Sequence, residues 1–262
     1  MRFSRIARCA LVAPVLWLAL GTATTTEARA EDKITVAVLY FDYNGSSEEL
    51  SFLRKGLAQM LIADLTGTPG IAVVERIRLE EILKELDLNK SKRIDRRSAV
   101  QVGKLLGAHY IVFGSYTVFR EQLIVSATIS KVETSHHLLS GENHKGTFEG
   151  FFELEQKLAA KLRETMIENI DTLESGVTRQ SSRKGSKTGR KGTAAGGTKA
   201  GKKPRKLKKP KKLDARQAAR YGKALDDIDR GDKKAARKEL EAIVKEQPDF
   251  ELASIDLAGL SQ

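Results

Sequence analysis

Four histidines, a group of glutamates and one long basic run are the residues here whose types could do chemistry. The histidines are His109, His136, His137 and His144. Imidazole can ligate zinc or move protons near neutral pH. In an extended segment His136 and His137 point to opposite faces, which is poor geometry for chelating one ion. Turn and edge positions are the simpler reading. Glu80, Glu81 and Glu85 fall on the charged side of a helical stretch, where solvation explains them. No Ser-His-Asp or Cys-His arrangement can be assembled. No catalytic residue, metal site or cofactor site is therefore expected, and the chain reads as a non-enzyme.

Residues 196–203 read GGTKAGKK. This falls one residue short of the phosphate-cradling G-x-x-x-x-G-K-[ST] pattern, because Lys203 replaces the hydroxyl residue that would hold magnesium. No strand precedes it, so it reads as linker. The basic run has a different chemistry available. Lys202, Lys203, Arg205, Lys206, Lys208, Lys209, Lys211 and Lys212 could hold a polyanion by counterion release, without reading sequence. No aromatic residue interrupts 180–212, so base stacking is not on offer. Anionic lipid, lipopolysaccharide or cell-wall polymer suit such a run better than a specific nucleic acid. A solvated spacer is the competing reading.

The elements that would position these residues are unevenly distributed along 262 residues. Arg2, Arg5 and Arg8 precede an apolar core, Ala10 to Leu20, which is too short to span a bilayer. Ala28-Arg29-Ala30 then supplies the small residues of a cleavage site. Residues 1–30 are expected to be a secretory signal peptide with Ala28 and Ala30 at the cut, giving an exported, periplasmic, soluble protein. The only cysteine, Cys9, lies before the apolar core, so it cannot be the lipidated cysteine of a lipoprotein, and the mature chain would contain no thiol. The net charge is +12, yet Arg179 to Lys212 alone carries +15 and the remainder sums to −3. The basic character belongs to a segment, not to a folded surface.

Ile34 to Phe41 is a continuous apolar run, the pattern of a central buried strand. Asp42 to Ser47 reads as a turn or loop. Glu48 to Leu65 places Leu50, Leu53, Leu57, Met60, Leu61 and Leu65 at helical spacing, and Thr66-Gly-Thr-Pro-Gly70 stops it. Ile71 to Glu75 is a short strand. A charged helix follows, with Leu79, Ile82, Leu83 and Leu86 on one face. Ala99 to Leu106 is a second helix ending at Gly107, where positive φ is cheap. Tyr110 to Tyr116, Gln122 to Val132 and His137 to Phe148 are strands, the last two in a meander. Phe151 to Leu173 is a long amphipathic helix. The expected fold class is α/β: a mixed sheet with packed helices, βαβ plus antiparallel meander, filling 31–175. Residues 176–213 are expected to be a disordered Lys/Arg-rich linker, and 214–262 a small all-α segment.

Two stretches carry a resemblance. Val74-Glu75-Arg76, Leu79, Ile82-Leu83, then Gly103-Lys-Leu-Leu-Gly107-Ala108 and Tyr110-Ile-Val-Phe-Gly114-Ser115 resemble the CsgG-type family, named for the curli secretion channel. The soluble part of that family is similar to the amino-terminal domain of the TolB envelope protein. The resemblance spans about Ile34 to Ile170. It implies a periplasmic assembly domain in the cell envelope that binds proteins, including a second copy of itself. The lipid-anchor cysteine and the inserted amphipathic hairpins of a membrane pore are not found in the expected places. Further on, Ala224, Gly231, Ala236, Leu240 and Pro248 fall where a tetratricopeptide repeat places small, turn, small, large and terminating residues, although Arg220 stands where an aromatic is common. An ordinary helical hairpin is the alternative, and Phe250 to Leu260 reads as the start of a third helix.

Overall fold

The computed structural model describes residues 33–88, 95–181, 210 and 212–260, without the side chains of 170–181. Strands β1 (Ile34–Val38) and β2 (Asp42–Tyr43) lead into helices α1 (Glu48–Ser51) and α2 (Leu53–Leu65). Then come β3 (Ile71–Val73), α3 (Arg76–Glu85), α4 (Arg96–Leu105) and β4 (Tyr110–Phe119). β5 (Gln122–Lys131), β6 (His137–Thr147) and α5 (Phe151–Ser181) follow. The carboxy-terminal segment is α6 (Ala215–Asp229), α7 (Lys233–Glu246) and α8 (Glu251–Gly259).

The sheet order is β3-β1-β4-β5-β6, with β2 also paired to β4. β1 runs parallel to β3 and β4, whereas β4-β5-β6 is an antiparallel meander. This is the mixed α/β architecture that the apolar runs imply. One local reading changes. Asp42-Tyr43 is not loop: it pairs in register with Ser115-Tyr116, and the Tyr43 and Tyr116 rings stack at 5.0 Å. Two residues are too few for their alternation to be seen in the sequence.

Helices cover both faces of the sheet. Tyr116 points toward α1 and α2, and its hydroxyl donates to the Leu50 carbonyl at 2.6 Å. Ile111, of opposite parity on β4, meets α4 at Gly103, where a Cβ would come within 2.6 Å of Ile111. Gly107 closes α4 with φ +64. Asp95 caps the start of α4 by accepting from the Ser98 amide at 2.7 Å. The buried strand residues Val36, Val38, Ile111, Val112, Leu123, Val125 and Ile129 form the centre of the core.

The carboxy-terminal helices belong to that core. Leu213, Ala218, Tyr221, Leu225, Leu240 and Phe250 are buried in the same cluster as the sheet residues, and residues 32–262 form one compact unit. α6 begins at an Asp214–Gln217 capping box and is tied to the end of the meander by the Ala215 amide, which donates to Phe148 at 3.0 Å. Helix α5 continues to Ser181, past the boundary at 175 that composition suggests.

Candidate functional site

The most heavily built feature outside the sheet is the crossing of α2 and α6. Gly56 and Gly222 face each other across it. A Cβ on Gly222 would lie 2.0 Å from the Phe52 carbonyl oxygen and 2.9 Å from the Gly56 nitrogen, and a Cβ on Gly56 would lie 2.3 Å from the Ala218 oxygen. The two backbones are in direct contact, a spacing that only glycine allows. α2 is consequently buried on two sides. Leu53, Leu57, Met60, Leu61 and Leu65 serve the core, while Lys55 and Gly56 are covered as well.

Beside the glycine contact lies a buried ionic cluster. The Lys55 ammonium donates to Asp229 Oδ2 at 2.7 Å and pairs with Asp226 Oδ1 at 2.8 Å and Glu80 Oε2 at 3.4 Å. Arg76 Nη1 donates to the same Asp229 oxygen at 2.6 Å. The Tyr40 hydroxyl donates to Glu80 Oε2 at 2.7 Å. Lys84 Nζ donates to the Asp229 backbone carbonyl at 2.9 Å, at the end of α6, where a helix collects partial negative charge. Burial opposes the charge on Arg76, but its hydrogen bond to Asp229 and the fields of Tyr40 and Asp229 hold its pKa above the ordinary value. Burial also pushes the Tyr40 hydroxyl well above its usual range, with Arg76 opposing that shift. Every charge in the cluster has a counter-charge or a hydrogen bond, the condition for keeping ions out of water.

The cluster joins the segment after β1 to α2, α3 and α6. It clamps the carboxy-terminal helices onto the α/β part through groups up to 174 residues apart in sequence. Within the helical segment Arg220 bridges α6 to α7, donating to Glu239 at 2.6 Å and Glu246 at 2.7 Å. These two ion pairs are what Arg220 contributes to the packing of α6 on α7. Tyr221 stacks edge-on against Phe250 at 4.9 Å and donates to Asp256 at 2.6 Å, joining α6 to α8.

The residues singled out from sequence do not gather at this seam. His109 accepts the Thr35 amide on Nδ1 at 3.0 Å, tying the start of β4 to β1. His137 sits 6.5 Å from the Phe113 ring, with its pKa lowered by burial and by Arg96. His144 lies 3.8 Å from Glu142 on β6. Among the described residues no three His, Cys, Asp or Glu side chains gather as metal ligands. Glu80 is the exception to the solvated-face reading. It is 5% exposed and belongs to the ionic cluster. Lys212 is exposed. Ala28, Ala30, Lys202, Lys203, Arg205, Lys206, Lys208, Lys209 and Lys211 lie outside the described residues. Sequence reasoning passed over Lys55, Asp226 and Asp229, which look like ordinary surface charges, and named Arg76 only as part of a motif, not as a buried cation. A usable signal was Gly56 in mid-helix: a glycine there costs about 1 kcal/mol against alanine and needs a packing reason.

Residues 21–128 match the family model described as curli production assembly/transport component CsgG, so this stretch is similar to that family. No curated protein matches the chain by sequence. Solved structures similar in part include the following three. The LpoB carboxy-terminal domain of Salmonella enterica is 16% identical, at TM-score 0.36, over 46% of this chain and 87% of that one. The corresponding Escherichia coli domain is 17% identical, at 0.36, over 45% and 86%. TolB of Acinetobacter baumannii is 12% identical, at 0.33, over 53% of this chain and 28% of that one.

Proposed function

We propose that this protein is a non-enzymatic cell-envelope scaffold, an exported CsgG-type assembly component that holds partner proteins rather than conducting solutes or catalysing a reaction. The family match over residues 21–128 supports the envelope setting. The leader-like arginines and apolar core at the start of the sequence support export to the periplasm.

The observation that carries the scaffold reading over a channel is the use made of the meander. β4 and β5 pair without interruption from Tyr110↔Lys131 to Phe119↔Gln122, turning through Arg120 and Glu121 at positive φ. Barrel strands alternate lipid-facing and lumen-facing residues over about ten positions. Here the alternate residues Leu123, Val125, Ala127 and Ile129 are fully buried in the core. Among the described residues, the long hairpins are thereby committed to the sheet. The clamped α6–α8 segment adds a helical surface, the kind of element that takes a partner's helix in a groove.

Co-purification of the chain from envelope fractions, with partners identified by mass spectrometry, tests the reading. Protein partners that stay bound at physiological and higher salt are the expected result. Capture that collapses between low and physiological salt would instead assign the interaction to the basic run and a polyanion.

A further inference from the structure

A cavity of about 670 Å³ opens beside the ionic clamp, and neither the clamp nor the scaffold role accounts for it. Its walls come from four places: the stretch from the end of β1 through β2 (Tyr40, Tyr43), α1 and the start of α2 (Ser51, Arg54), α3 (Lys84), and the cap of α6 (Arg230). β1 lies between β3 and β4; past it the chain pairs briefly with β4 as β2, then runs through α1 and α2 to β3 and crosses back to β4. The cavity therefore sits past the carboxyl ends of parallel strands, where the strand order reverses. Open α/β sheets place ligand crevices at that point, because the loops diverge there. The volume falls in the range of small-molecule sites, about 300–1,000 Å³.

Four cations line it, and three are satisfied. Lys55 pairs with Glu80, Asp226 and Asp229, Lys84 donates to the Asp229 carbonyl, and Arg230 pairs with Asp226 and Asp227 at 2.8 Å each. The carboxylates that would repel an anion are the same groups, already neutralised by these contacts and by Arg76. Glu48, which also lines the cavity, is exposed. Arg54 differs. Its Nε is buried without a hydrogen-bond acceptor, and its guanidinium carbon lies 5.5 Å over the Tyr40 ring. No acceptor for the group is found among the described residues. A guanidinium held by ring stacking, with its fork of donors unused, is set up for an oxyanion taken bidentately.

We propose that this cavity binds a small hydroxylated oxyanion, a phosphate monoester or a hydroxy-carboxylate, with the anionic group on Arg54. The hydroxyl-bearing body lies against Tyr43 and the serines Ser46, Ser47 and Ser51, which line the same cavity. Because Asp226, Asp229 and Arg230, from α6 and its cap, line the same cavity, the complete pocket exists only while α6 is clamped in place. Binding then favours the clamped arrangement, by mass action on the state that contains the complete site.

The test is titration of the full chain with glycerol phosphate, glycerate and inorganic phosphate, by calorimetry and by amide NMR shifts. Saturable binding of glycerol phosphate or glycerate is expected, with shifts concentrated at Gly45, Ser46, Ser47 and Arg54, and the preferred probe identifies the anion. Arg54→Gln should weaken that affinity at least tenfold, Arg54→Lys less so, and Arg216→Gln not at all. Arg216 is a control cation that stacks over Phe148. Three results overturn the proposal: no saturable binding of any probe, affinity unchanged in Arg54→Gln, or wild-type shifts confined to residues outside the cavity. The last two mean that the basic run holds the anion. The NMR arm uses unaltered protein, so the proposal stays open to refutation even if Arg54→Gln folds poorly.

Discussion

At the scale of single residues, the seam depends on atoms that are missing as much as on charges that are present. Gly222→Ala puts a methyl 2.0 Å from the Phe52 carbonyl oxygen, so α6 must move away from α2. The helix propensity of alanine favours the substitution by about 1 kcal/mol. Overpacking against backbone should reverse that sign and leave a net loss of about 1–3 kcal/mol in urea unfolding. Gly259→Ala, with nothing within 4 Å of the added Cβ, is the matched control and should be neutral or slightly stabilising. Stabilisation by Gly222→Ala would mean that the helices are not in backbone contact. Lys55→Met removes the cation that Glu80, Asp226 and Asp229 share. Breaking a buried pair from one side costs about 3–5 kcal/mol, so a change below 1 kcal/mol in the same measurement would contradict a desolvated cluster. Asp256 makes a pH-dependent claim. Burial raises its carboxyl pKa above the usual value, and the Tyr221 hydrogen bond and Arg76 offset only part of that. A raised value means that the folded chain holds the proton more tightly than the unfolded chain does. The site's contribution is then fully present below the ordinary carboxylate value and is lost as pH rises through the raised one. Asp256→Asn keeps an acceptor for Tyr221, so it should gain on wild type as pH climbs from about 4 toward neutrality. A stability difference that does not vary with pH would refute this.

At the scale of elements, the sheet was legible and the seam was not. Ile34–Val38 and the first part of β4, read as Tyr110 to Tyr116, announce themselves because strands buried on both faces are nearly continuous apolar runs. The meander and α5 are legible for the same kind of reason, from a period that matches one buried face. α2 reads as an ordinary one-faced helix. Its second buried side consists of Lys55 and Gly56, residue types that periodicity counts as exposed. The run Asp226-Asp227-Ile228-Asp229-Arg230 looks like solvated charge, because Lys55 and Arg76, which pair with Asp226 and Asp229, lie far away in sequence on α2 and α3. Local pattern carries no information about such partners. The same blindness made the carboxy-terminal helices look self-contained, and the composition of 176–213 reinforced that reading. Cleavage of the chain between residues 181 and 210 tests the point. The two pieces should co-migrate in size-exclusion chromatography, held by the α2–α6 crossing. Pieces that separate and each keep a wild-type thermal midpoint would restore the picture of independent parts.

At the scale of the whole molecule, the α/β part and a helical segment act as one body. The clamp fixes their geometry, so whatever docks on α6–α8 is positioned relative to the sheet. No described helix is long and apolar enough to cross a membrane, and the described meander strands pair within the sheet. The scaffold account therefore separates from a secretion channel most directly in planar-bilayer conductance of the full chain, paired with size analysis in detergent-free buffer. The account predicts a defined species without detergent and no discrete single-channel currents at any protein concentration tested. Reproducible unitary currents, or a chain that stays dispersed only in detergent, would contradict it.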